Sequence, residues 1–286
     1  MIVTLDVFSG RPNPSWTLSD RDQRELISRV AGKAVSAVHE SQAHLGFRGY
    51  IVSAASDDDE TATAAGLPDM FRIDTTSLGG IVPGLEQLMQ PLSAEEVGDT
   101  QKWLLTTVAG AVEDPILEHV ASQISGAGAV AEAPAPAAAA ACVISNTPYN
   151  PGFWNVPSVQ PYNNCYNYAM NYRSNTFAQP GRISGHPNNV MQCANVAAAA
   201  NWDGCLATCS GPNKNVALVI WPGQDYHWYR LHSNGFWGHK PGGTAARNVD
   251  SLNRIIGGAL NPQNCARGPY TIFCGYRFSP VGMHVS

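Results

Sequence analysis

Cys165 lies in Asn163-Asn164-Cys165-Tyr166-Asn167-Tyr168-Ala169, and 62 residues later His227 lies in Asp225-Tyr226-His227-Trp228-Tyr229. A thiol and an imidazole can divide nucleophilic catalysis between them, the thiolate attacking while the imidazole moves the proton. Asn163 or Asn164 can cap a helix, which leaves Cys165 in its first turn. There the unpaired N–H groups and the positive helix end favour a thiolate. The same N–H groups can hold the oxyanion formed when a thiolate attacks an amide carbonyl. The competing expectation is a buried or disulfide-bonded Cys165 and an aromatic-packed core His227.

A catalytic imidazole needs a partner that fixes its ring and tautomer. Asn248-Val249-Asp250 follows at a suitable distance along the chain, so Asp250, or Asn248 on the same side of a strand, is the candidate orienter. Asp225 shares strand parity with His227 but precedes it. Strand parity also sorts the other histidines. A two-residue turn at Asn234-Gly235 pairs positions whose numbers sum to 469. His227, Tyr229, Leu231 and Ser233 then share one face with Phe236, Gly238, Lys240 and Gly242. His239 falls opposite, with Trp228, His232 and Trp237. On that register His239 is a poor partner for His227, and a zinc site built from His227, His232 and His239 is not expected.

The elements that must position these residues fall in two halves. Residues 126–141 read GAGAVAEAPAPAAAAA, a low-complexity spacer between an N-terminal region (1–125) and a C-terminal region (142–286). The first region reads as a small α+β domain. Met1–Phe8 is a strand, Ser19 caps a helix through Val30, and Gly49–Ala54 and Met70–Ile73 are strands. Ser93-x-x-Glu96 is a capping box for a helix through about Ala109, and a last helix covers Pro115–Ile124. His39 and His44 read as solvated or capping residues, and the run Asp57-Asp58-Asp59-Glu60 as a solvated loop. In the second region Val190–Ala200 suggests a helix, Val216–Trp221 a buried strand, 227–240 a hairpin and Ile272–Phe278 a closing strand. Helix first and antiparallel sheet later predicts an α+β fold.

Composition narrows the function classes. A net charge of −5 with no Lys/Arg cluster argues against nucleic acid as a partner. No apolar run reaches membrane-spanning length. No cofactor or metal is expected. All seven cysteines lie from Cys142 onward, which suggests three disulfides with Cys165 left free, or a set of reduced buried thiols. Met1–Phe8 lacks a basic leader with a long apolar segment, so the expected location is cytoplasmic, or outside by a non-classical route.

The segment NNCYNYAMNY resembles the nucleophile helix of CHAP-domain and NlpC-type hydrolases, which are papain-like. The resemblance implies a papain-like C-terminal domain with Cys165 as nucleophile, His227 as base, and Asp250 or Asn248 as orienting residue. Gln160, five residues before the cysteine, would stand near the oxyanion. It further implies a cysteine-dependent amide or peptide hydrolase, of peptidoglycan stem peptides or a protein, with Trp228, Tyr229, Trp237 and Tyr166 around the ligand. The wording DYHWYR…GFWGHKPG resembles a bacterial family with the same Cys–His plan. An effector-type toxin restrained by contact between the two regions is compatible with that reading. The alternative, from another class, is a secreted, aromatic-rich binding module whose cysteines are structural and which catalyses nothing.

Overall fold

A computed structural model describes residues 1–35, 44–55, 66–74, 90–125, 143–209 and 211–286. The chain divides into two compact units. Among described residues the first holds 1–7, 13–35, 47–55, 66–74 and 90–125, and the second holds 8–12, 44–46 and 143–286. Beside its main stretch the second unit owns two short pieces from the start of the chain. The spacer itself, His39 and the run Asp57-Asp58-Asp59-Glu60 lie outside the described residues.

The first unit is α+β. Its sheet has the order β2(Ser15–Thr17)-β1(Ile2–Leu5)-β4(Tyr50–Ser53)-β5(Met70–Ile73), all antiparallel, and β3(Lys33–Ala34) pairs in parallel with β6(Gln90–Pro91). Alternation buries Val3 and Leu5 on β1 and Val52 on β4, so one face of the sheet is apolar. Two of its three helices were legible from their caps. In α1(Asp20–Val30) Ser19 accepts from Asp22 N, and α2(Ala94–Thr106) carries the full Ser93/Glu96 capping box. In α3(Asp114–Ile124) a proline occupies the first turn. A buried ion network ties the strand ends: Asp6 holds Arg48 at 2.6 Å and Arg72 at 2.7 Å, and Arg72 also meets Asp74 at 3.0 Å. Burial works against the Asp6 carboxylate, but the two guanidiniums hold it well below the usual carboxylate range.

The second unit is built on a five-stranded sheet of order β10(Trp237–His239)-β9(Asp225–Leu231)-β8(Pro212–Trp221)-β11(Ile272–Pro280), antiparallel throughout, with β7(Val143–Ile144) added in parallel to the start of β8. Two helices, α4(Cys165–Met170) and α5(Cys193–Trp202), cover one face. Their core contains Tyr166, Met170, Val196 and Ala200 against Val216, Leu218 and Ile220 of β8 and Tyr226 and Trp228 of β9. Leu218 pairs with Trp228 and Ile220 with Tyr226, which puts these four on the helix-covered face. Asp225, His227 and Tyr229 take the other face.

The hairpin between β9 and β10 differs from the expected register by one residue. His239 pairs with Tyr229, so positions sum to 468, and His232 N donates to Phe236 O at 2.9 Å. The loop is three residues, 233–235, with Gly235 left-handed at φ +83°. An Asn-Gly pair serves this loop as well as the two-residue turn. One residue of slip moves every β10 side chain to the other face, so His239 joins His227.

Cys193 at the start of α5 is bonded to Cys274 of β11, 81 residues away. Cys274 occupies the register shift between Phe273 and Gly275, and such a bulge re-aims one side chain out of strand alternation. Cys209 is disulfide-bonded too. Cys165, Cys205 and Cys265 are free and buried. The expectation of Cys165 as the single free thiol is corrected accordingly.

Candidate functional site

Cys165 opens α4, as its sequence context suggested, but the helix tip is closed. Asn164 caps it, its Oδ1 accepting from Tyr166 N and Asn167 N at 3.1 Å each. Those N–H groups are thereby consumed and are not free to receive an oxyanion. The Asn164 amide in turn donates to Gly10 O (2.9 Å) and Ala178 O (2.7 Å). Asn167 completes a reciprocal box by accepting from Asn164 N at 3.1 Å. Every residue of the six-residue helix is buried. The Cys165 thiol faces Tyr226 O at 3.9 Å. Burial first, and then the nearby Asp225 carboxylate, push its pKa well above the ordinary thiol value. The group is a protonated core thiol, the opposite of a helix-activated thiolate.

His227 sits on the other face of β9. Cys165 packs with Tyr226 and Trp228, the neighbours that flank His227 on the opposite side of the strand. The structure brings His227 instead to His239, Nε2 to Nδ1 at 2.9 Å, and His239 Nε2 lies 2.7 Å from Val249 O. Tyr229 stacks on His239 with ring centroids 5.0 Å apart and meets His227 edge-on at 4.8 Å. Burial lowers the His239 pKa to about 4, so this imidazole is neutral at ordinary pH.

The expected orienting residues are engaged elsewhere. Asp250 accepts from Leu252 N (2.9 Å), Arg254 N (3.0 Å) and Ala266 N (3.0 Å) and pairs with the Arg254 guanidinium at 2.7 Å. It organises its own loop. Asn248 contributes its carbonyl to Ile256 N at 2.9 Å. Gln160 is buried, and its carbonyl accepts from Lys240 Nζ at 2.6 Å. Lys240 also donates to Asn163 O and, at 2.9 Å, to Gly242 O. The expected ligand platform is absorbed as well: Tyr166, Trp228 and Tyr229 are fully buried, and Trp237 is nearly so. Trp228 lies tilted against Tyr166, ring centroids 5.6 Å apart, inside the core. Among the described residues no group of three or more His, Cys, Asp or Glu could hold a metal, and no helix is long and apolar enough to cross a membrane.

Two anchoring devices had no sequence signal of their own. Asp225, buried at the start of β9, accepts from Ser9 N (2.6 Å), Gly10 N (3.0 Å) and Arg11 N (2.9 Å) and from Tyr270 Oη (2.5 Å). Its three backbone partners lie more than 200 positions away in sequence, and the run Ser9-Gly10-Arg11-Pro12 reads locally only as a turn. Tyr168 and His232 form the second device, Oη to Nε2 at 2.7 Å, with Gly238 closing over both.

No protein-family model matches the chain, and no solved structure matches it. Insoluble matrix shell protein 1 of Ruditapes philippinarum is 44% identical to it over 139 residues, which are 48% of this chain and 92% of that protein. That protein is thus roughly half the length of this one. Its name describes a component of an insoluble shell matrix and not a hydrolase. This finding overturns the expectation of a cysteine-dependent amide or peptide hydrolase, and with it the thiol-protease, amidase, bacterial and toxin readings. The peptide or peptidoglycan substrate falls with them.

Proposed function

We propose, from the premise that the chain belongs to the family of Insoluble matrix shell protein 1, that its second unit is a non-catalytic binding module of an insoluble extracellular matrix, held by structural disulfides. The relative, 44% identical over 139 residues, carries the matrix part of this reading, and the disulfides of the second unit direct it to that unit. The geometry supports it from another direction, because the thiol and imidazole that could do chemistry are spent on packing on opposite faces of one strand. Oxidised Cys193, Cys274 and Cys209 suit an oxidising, extracellular setting. The aromatic residues available for contact are Phe153, Tyr162, Trp202 and Phe236, each more than a third exposed.

The test is co-sedimentation of the full chain with shell-derived insoluble matrix, with wild type and Cys165→Ala side by side. Equal retention of both supports the reading. No retention of the wild type, or thiol-dependent cleavage of amides by it, would sink it.

A further inference from the structure

The acidic side chains of 143–286 are Asp203, Asp225 and Asp250, and each is engaged. Asp203 accepts from Tyr166 Oη (2.8 Å), Gly181 N (2.7 Å) and Ser184 Oγ (2.7 Å), and the other two are held as described above. None pairs with Arg230. This arginine lies on the helix-covered face of β9, 2% exposed, with its Cζ 4.7 Å from the centroid of the Tyr168 ring. Its Nε and Nη1 have no hydrogen-bond partner. The charged and titratable groups around it offer no counter-charge. Lys214 is close enough for mutual repulsion to help lower its pKa to about 8, after burial. Burial, then Arg230, holds His232 down at about 4 and so neutral. The side-chain hydrogen bond of Arg230 is to the neutral Tyr168 hydroxyl, not to a carboxylate; burying a guanidinium without a counter-charge is costly, and an arriving anion relieves that cost.

Arg230 lines a cavity of about 260 Å³ shared with Thr147, Asn150, Phe153, Trp154 and Asn171. Phe153 is 43% exposed, and Arg173 stacks over its ring at 4.3 Å, so a second cation stands beside an aromatic that also lines the cavity. Residues 129–286 as a whole carry nine Lys/Arg against four Asp/Glu, whereas residues 1–128 carry eight against eighteen. An anionic ligand is therefore attracted to this unit specifically.

We propose that the Arg230 cavity is a binding site for a carboxylate-bearing sugar residue of an acidic polysaccharide. It deepens the binding-module reading and rests on that reading for its use in a matrix. The planar guanidinium fork matches a carboxylate bidentately. Trp154 and Phe153 supply apolar walls for a ring, and the amides of Asn150 and Asn171 suit its hydroxyls. A cavity of about 260 Å³ suits a ligand of monosaccharide size.

The experiment is calorimetric titration of the full chain with glucuronate, glucose and a tetraglutamate peptide. Wild type takes up glucuronate saturably, one per chain, and glucose at least tenfold more weakly. Arg230→Gln loses at least tenfold in affinity, as expected for losing a charge-assisted pair. Because Arg230 is buried, Phe153→Ala (exposed) and Arg173→Ala (half-buried) serve as variants outside the core, and each weakens glucuronate binding several-fold. No saturable glucuronate binding, equal binding of glucose, tighter binding of tetraglutamate, or an unchanged Kd in Arg230→Gln would overturn the assignment. Retention on matrix without glucuronate binding removes this site and leaves the matrix reading standing; glucuronate binding without retention does the reverse.

Discussion

Replacing both Cys193 and Cys274 by serine tests how the second unit is held. The bond closes a loop of 81 residues between the first turn of α5 and the bulge of β11. The chain-entropy relation for a loop of that length gives a loss of roughly 15 cal/mol/K, or about 4.5 kcal/mol at 25 °C, with measured values for disulfides commonly about 2–4 kcal/mol. For a unit of this size each kcal/mol moves the midpoint by about 2–4 °C, so the double variant melts about 5–15 °C lower. Tryptophan fluorescence is a suitable probe because five of the seven tryptophans, Trp154, Trp202, Trp221, Trp228 and Trp237, lie in this unit. Thermal scans of wild type and variant are run with and without dithiothreitol. Reductant lowers the wild-type midpoint by at least the variant's deficit, and any further loss in the variant reports the bond at Cys209. A variant melting within about 2 °C of wild type, which the relation of midpoint to free energy equates with less than about 1 kcal/mol, would refute the reasoning that this cross-link secures the helix layer to the sheet.

Three other outcomes are expected. Gly10→Ala places a Cβ against the ring of Tyr226 and disturbs the loop that caps Asp225, so it costs about 1–3 kcal/mol in denaturant unfolding; wild-type stability would contradict that packing. His239 is held neutral by burial, with its pKa lowered from 6.5 to about 4. The unfolded chain therefore takes up a proton that the folded chain refuses. Stability is complete above pH 6.5 and falls as the pH drops toward 4, by roughly 3 kcal/mol from this group. Urea midpoints across that range check it, and His239→Gln flattens the slope. Arg230→Gln removes a buried charge that has no carboxylate partner and, without ligand, leaves the melting midpoint unchanged or higher; a loss of more than about 2 kcal/mol, the scale of a lost buried hydrogen bond, would make Arg230 a structural partner instead.

Fold class and most elements were legible because their signals are local. Ser19, Ser93 with Glu96, and Asn164 each announced a helix start, and Ile272–Phe278 read as a strand from its own residues, within the observed Ile272–Pro280. The errors arose where distant groups decide. Asn234-Gly235 marks a hairpin but does not choose between two- and three-residue loops, and that choice alone sets which histidine meets His227. Asn164 was visible as a cap, but Gly10 O and Ala178 O, which fix its amide, were not. The helix tip therefore read as open when it is buried. Residues 8–12 belong to the second unit through Asp225, a link no local pattern carries. The solitude of Arg230 is likewise a property of its surroundings, since an arginine on a strand says nothing of where the carboxylates go.

The most direct test of the claim that this is a binding module and not a hydrolase is site-resolved alkylation of the non-reduced native chain near pH 6, with limiting iodoacetamide and mass spectrometry. Buried and protonated, Cys165 stays unlabelled alongside Cys205 and Cys265 until guanidinium unfolds the chain. Rapid labelling of native Cys165 that slows in His227→Ala would contradict the account and restore the catalytic pair.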